Sequence, residues 1–163
     1  MNMKTQKKNL KILIVDDKLL HFELIREAIY NGIDGIKVFP KTPRLGANVD
    51  GDLDFHLPVI EKIVDKQFTP VLDKYFDVDI FIIDVQLNPS VGSDDSGVYF
   101  YQALEADPRT RRAKKIVVSM YPQNSIMAFF KKTNVDFVFK QNYDRFEDEV
   151  AYRVAKIIEG AGE

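Results

Sequence analysis

The sequence predicts an α/β fold: a parallel sheet covered by helices on both faces. Two observations lead there. Short, near-continuous apolar runs rich in Ile, Val and Phe recur along the chain, and stretches with helical spacing of apolar residues alternate with them. A length of 163 residues fits a single domain with a sizeable core.

The apolar runs are Leu10–Val15, Ile36–Phe39, 79–83, 115–120 and 135–139. Consecutive apolar side chains over so few residues suit strands buried on both faces. After the first run, Phe22, Ile25 and Ile29 share one helical face, with Asp17 as the expected cap. Val98, Tyr101 and Leu104 recur after Ser96, and Ile126, Phe129 and Phe130 after Pro122. Phe146, Val150, Val154 and Ile157 recur near the end. Five strand–helix alternations joined by right-handed crossovers leave a flavodoxin-like (βα)5 sheet, order 2-1-3-4-5, as the leading topology.

Two stretches exceed that minimal plan. Residues 40–58 are rich in Pro, Gly, Asn and Asp without a period, and read as a long loop. The helical pattern over 59–76 that follows contains Pro70, which predicts a break there. Residues 88–96, NPSVGSDDS, form a polar insert after the third strand. The expected organisation is a basic tail over 1–9 and one domain over 10–160, with expanded loops after the second and third strands.

Composition narrows the function classes. With 45% hydrophobic and 29% charged residues the chain reads as globular, and a net charge of −2 gives no general case for nucleic-acid or membrane binding. The absence of cysteine excludes disulfides, thiolate zinc sites and cysteine nucleophiles. The basic N-terminal segment is followed by LKILIV, too short for a signal segment, and no apolar run reaches the length of a membrane span. The expected location is the cytoplasm.

The chemistry-bearing residues fall at strand ends. Asp16 and Asp17 follow LKILIV, Asp84 follows DIFII, Ser119 ends KKIVVS and Lys140 ends VDFVFK. In an open parallel sheet the carboxyl ends of the strands meet at one crevice, so these residues are expected to converge. A lone Asp at a strand end is ordinarily a cap or turn residue; it is the ordered set that points to chemistry. Crowded carboxylates call for a cation, and hard oxygen ligands suit Mg²⁺. Asp84 would then be a carboxylate nucleophile toward phosphorus, with Lys140 and Ser119 contacting the phosphoryl oxygens. The backbone carbonyl of Gln86 would complete the metal shell.

These segments resemble a known family. LKILIVDDKLLHFELIREAI, DIFIIDVQLNP, ADPRTRRAKKIVVSMYP and TNVDFVFKQN resemble, in order, the segments that carry the site of response-regulator receiver (CheY-like) domains. The resemblance implies phosphorylation at Asp84 and Mg²⁺ bound by Asp16, Asp17 and Asp84, Asp17 being the more direct of the first two. It also implies phosphoryl contacts from Ser119 and Lys140 and an aromatic switch at Phe137, which reads equally as a core strand residue. It implies a two-component phosphorelay module rather than an enzyme, catalysing only its own phosphoryl transfer and slow autodephosphorylation. Its partners would be a histidine kinase or phosphotransfer protein and a downstream protein. The latter would dock on the face of the helix after Pro122, the fifth strand and the last helix; a homodimer is compatible with this plan.

The sequence also departs from that pattern. Gln141 follows Lys140 where the family usually has proline, so a trans peptide or an altered loop is expected. Asn134 stands where glycine is common, Gly97 arrives later than usual after the acceptor, and Phe137 lacks the tyrosine hydroxyl. These departures sustain a second reading, a degenerate receiver that binds partners without phosphorylation. A third, a haloacid-dehalogenase-type phosphatase, ranks last because Gln86 stands where that chemistry needs an acid/base Asp.

The remaining signals are weaker. Asp94 and Asp95 read as solvated or capping, and the basic run 109–115 as a solvated helix-to-strand turn. His21 and His56 have no ligand spacing and are assigned to no metal. Met127, Phe129 and Phe130 fall on the helix of the expected partner face.

Overall fold

A computed structural model describes residues 9–40, 56–87, 95–120 and 135–161. Asp94, Met127, Ile126, Phe129, Phe130, Asn134 and most of the two expanded loops lie outside the described residues.

The elements follow in the order β1 (Leu10–Val15), α1 (Leu19–Gly32), β2 (Ile36–Phe39), α2 (His56–Val64), α3 (Phe68–Tyr75) and β3 (Ile80–Asp84). They continue with α4 (Ser96–Ala106), β4 (Lys114–Ser119), β5 (Asp136–Phe139), a 3-10 turn (Lys140–Asn142) and α5 (Phe146–Ala161). The five strands pair in parallel in the order β2-β1-β3-β4-β5, as the sequence predicts. No helix among the described residues is long and apolar enough to cross a membrane.

Strand alternation divides the core into two layers. Ile12, Ile14, Ile80, Ile82, Ile116, Val118 and Val138 pack against Phe22, Ile25 and Ile29 of α1 and Val150 and Val154 of α5. Leu13, Val15, Phe81, Ile83, Val117 and Phe137 pack on the opposite face, against α2, α3 and α4. Residues next to one another in sequence therefore serve different layers, and both must be apolar. Each such side chain removed from water contributes about 1.5–3 kcal/mol before the cost of ordering it. This is why the strands read as continuous apolar runs.

Three local details differ from the sequence reading. Asp17 does not cap α1: Lys18 stands at the cap position without a side-chain bond, and Asp16 Oδ1 accepts the Lys18 N–H at 2.9 Å in an Asx turn. The break between α2 and α3 comes before Pro70. The Gln67 N–H donates to the Lys62 carbonyl at 2.8 Å and the Lys66 N–H to the Ile63 carbonyl at 3.0 Å, with Lys66 at φ 61°. This is a Schellman ending with lysine in the left-handed place usually taken by glycine. Pro70 instead lies in the first turn of α3, where a missing N–H costs nothing. The basic run before β4 is also not simply solvated. Lys115 is buried, donating to the carbonyls of Thr110 and Arg111 at 2.9 Å each and pairing with Glu105 at 2.6 Å. Arg109 pairs with Asp73 and Asp107.

The start of α4 lies hard against the end of β3. The Gly97 N–H donates to the Val85 carbonyl at 2.8 Å, and a Cβ at Gly97 would sit 1.9 Å from the Asp84 carbonyl oxygen. Neither partner can yield, because both are backbone. Gly97→Ala is expected to lower stability by about 3 kcal/mol or more in urea denaturation. Gly32→Ala, whose Cβ would meet nothing within 4 Å, serves as the control and should shift it by less than about 1 kcal/mol.

Candidate functional site

The register of β1 on β3 creates the site. Ile12 pairs with Ile80 and Val15 with Ile83; continued by one residue, this sets Asp16 beside Asp84. Alternation assigns Asp16 and Asp84 to the layer of Ile14 and Ile82, the α1–α5 side. Lys140, just past β5, shares the parity of Val138 and reaches the same edge.

Asp16, Asp17 and Asp84 each offer a carboxylate oxygen, and these oxygens lie within 4.8 Å of one another. Asp16 and Asp84 are buried and Asp17 is half-buried. Lys140, only 4% exposed, places Nζ 3.3 Å from Asp16 Oδ2 and 3.3 Å from Asp84 Oδ2. The Gln86 N–H donates to Asp84 Oδ1 at 3.2 Å. The peptide after Lys140 is trans, and the chain turns there into the short 3-10 segment, in keeping with Gln141 in place of proline.

The electrostatics follow from burial and crowding. Burial, then the neighbouring Asp16 carboxylate, pushes the Asp84 carboxyl up to about 8 against the opposing pull of Lys140. Burial and Asp16 also raise Asp17. Among the described residues, one ammonium stands among three carboxylates, which leaves excess negative charge in a largely buried place. Three hard oxygen donors with that excess fit a divalent cation.

Ser119 is fully buried at the end of β4. By alternation it belongs with Val117 and Phe137, on the face opposite Asp16 and Lys140. Phe137 is buried in the core layer on that face, and its carbonyl accepts a bond from Arg153 of α5 at 2.8 Å. Arg153 also pairs with Asp136 and Glu149, so it ties α5 to β5. Asp95 stands at the cap position of α4 without a side-chain cap bond.

Sequence reading missed one residue. His21, in the first turn of α1, places Nδ1 2.8 Å from Lys140 Nζ and 3.9 Å from Asp16 Oδ2. Its ring meets the Phe146 ring edge-on at 5.0 Å. Burial, then the positive Lys140, holds its pKa below the usual histidine value. The signal in the sequence was its place four residues after Asp17, at the sheet's carboxyl edge.

No family model matches the chain, and no curated protein matches it. Solved structures do match. A response-regulator receiver domain from Rhodospirillum rubrum superposes with a TM-score of 0.58 at 15% identity, over 92% of this chain and 94% of that one. The phosphorylated cyanobacterial phytochrome response regulator RcpA gives a TM-score of 0.55 at 18% identity, covering 93% and 91%. The Mn²⁺-bound form of response regulator Rcp1 gives 0.53 at 13% identity, covering 87% and 88%. The chain has the fold of response-regulator receiver domains.

The raised Asp84 has a consequence for stability. In the unfolded chain it ionises near 3.8, whereas in the fold it keeps its proton to about 8. Between those values the folded state binds more protons, so the cation-free protein loses stability as pH rises. Asp84→Asn removes this loss. At pH 8 in a chelator the variant should be more stable than wild type by on the order of several kcal/mol, the gap closing toward pH 4, as measured by denaturant unfolding across pH.

Proposed function

We propose that the chain is a phospho-acceptor receiver of a two-component phosphorelay, in which Asp84 takes a phosphoryl group from a histidine kinase or phosphotransfer protein. One observation carries the reading: three carboxylate oxygens within 4.8 Å of one another, with the Lys140 ammonium 3.3 Å from two of those carboxylates, at the carboxyl edge of a receiver-type sheet.

Asp16, Asp17 and Asp84, with the Gln86 backbone carbonyl, would hold the cation, read here as Mg²⁺. When bound, it supplies positive charge that keeps Asp84 ionised and offsets the charge of the donor's phosphoryl oxygens. An Asp84 oxygen then attacks phosphorus, the bond from phosphorus to the donor nitrogen breaks, and the leaving imidazole keeps the electron pair and takes a proton. Lys140 turns its ammonium from the carboxylates to the phosphoryl oxygens. Ser119 donates its hydroxyl to the same group from the other face of the sheet. Burial slows attack by water, so the only turnover expected is slow loss of the protein's own phosphoryl group.

The output would run through Ser119 and Phe137, which share a face by alternation. A shift of Ser119 toward phosphate relaxes the packing around Phe137. Arg153 carries that change to α5, because it bonds the Phe137 carbonyl directly. The partner face would comprise β5, α5 and the segment before β5. The phosphorylated RcpA and Mn²⁺-bound Rcp1, which share the fold, support carrying both phosphate and divalent-cation chemistry to this chain.

Incubation with acetyl phosphate and Mg²⁺, followed by intact mass, tests the reading. Wild type should gain one phosphoryl group; Asp84→Asn, or wild type in excess chelator, should gain none. If wild type stays unmodified, or if the variant gains as much, phosphorylation-independent partner binding on this scaffold becomes the better account.

A further inference from the structure

The ammonium of Lys140 has three hydrogens and no acceptor capacity. Among the described residues it has three partners: Asp16 Oδ2 at 3.3 Å, Asp84 Oδ2 at 3.3 Å and His21 Nδ1 at 2.8 Å. Because an ammonium can only donate, the His21 nitrogen facing it carries the lone pair, and the ring hydrogen is on Nε2. The shortest of the three contacts is thus the one to the imidazole.

The surroundings make that contact directional. His21 is held by α1, which starts three residues after Asp16, and its ring leans edge-on against Phe146, the first residue of α5. The Lys140 ammonium also lies 5.1 Å from the centre of the Phe146 ring. Lysine carries a flexible stem and would otherwise choose among several acceptors. Here the first turns of two helices define where its tip can rest.

Building on the phospho-acceptor reading, we infer that His21 is a positioning residue for Lys140. Its Nδ1 takes one ammonium hydrogen and thereby aims the other two at the Asp16–Asp84 edge, where the oxygens of a phosphoryl group on Asp84 would lie. The imidazole would act through the lysine, as its contact to Lys140 is the shortest the ammonium makes among the described residues. A ring at this position that only filled space would not fix the ammonium.

Two substitutions separate these roles. His21→Phe keeps a ring against Phe146 but offers Lys140 no acceptor, whereas His21→Asn places an amide oxygen near the Nδ1 position and gives up ring contact. The first readout is the ¹⁵N-ammonium resonance of Lys140, visible while its hydrogens are held against exchange. The second is the rate of phosphorylation by acetyl phosphate in Mg²⁺. The resonance should be lost to exchange in H21F and retained in H21N. The rate should fall about tenfold in H21F and stay within about twofold of wild type in H21N, the size expected for one bond to a charged donor. A Lys140 resonance that survives in H21F, or an H21N variant that loses as much as H21F, overturns the inference and makes His21 a packing residue. If wild type takes up no phosphate at all, the phospho-acceptor reading falls, while the ammonium resonances of the two variants still decide the role of His21.

Discussion

Two neighbouring parallel strands end side by side, and their register sets one carboxylate against another. The closeness of Asp16 and Asp84 is the constraint around which the site is organised. Like charges this near one another in a buried place are costly, and the fold meets the cost in two ways. It brings the Lys140 ammonium between them, and it lets Asp84 keep a proton well above the usual carboxylate range. Neither device neutralises the site fully, and what is left is a standing demand for positive charge.

The rest of the structure holds that arrangement in place. The apolar layers on both faces fix the strands, so the carboxylates cannot separate by sliding. Gly97 lets α4 close on the back of Asp84 with nothing between backbone and backbone. The first turns of α1 and α5 close the other side through His21 and Phe146. Binding chemistry is thus drawn from loops and strand ends, while stability comes from the Ile and Val layers beneath them.

Much of this was legible in the sequence. The five strands were readable because burial on both faces forces continuous apolar runs, and the handedness of the crossovers limited the topologies, with this order the leading one. Asp84 and Lys140 were readable because each terminates such a run. Other features depended on geometry that residue types do not encode. Lys66 ends α2 in a conformation normally signalled by glycine, so the break was expected at Pro70 instead. The turn onto α1 uses Asp16 rather than Asp17, a choice between adjacent identical residues. Lys115 looked like one more surface charge, although carbonyl groups and Glu105 enclose it. His21 becomes meaningful only once α1 is rotated against α5, and no spacing rule reports that rotation.

Strand alternation also limits how such a chain can diverge. Sequence identity to solved relatives of the same fold is 13–18% here, yet the sheet order is intact. Replacing one apolar residue by another leaves each layer filled. Adding or deleting a single residue between Ile12 and Asp16, or between Ile80 and Asp84, would hand every later side chain of that strand to the opposite layer. The aspartate would then face α4 and the core while an apolar residue faced the ammonium. Strand length therefore acts as a reading frame: an apolar substitution keeps the frame, whereas a one-residue change of length inside a strand exchanges the two layers.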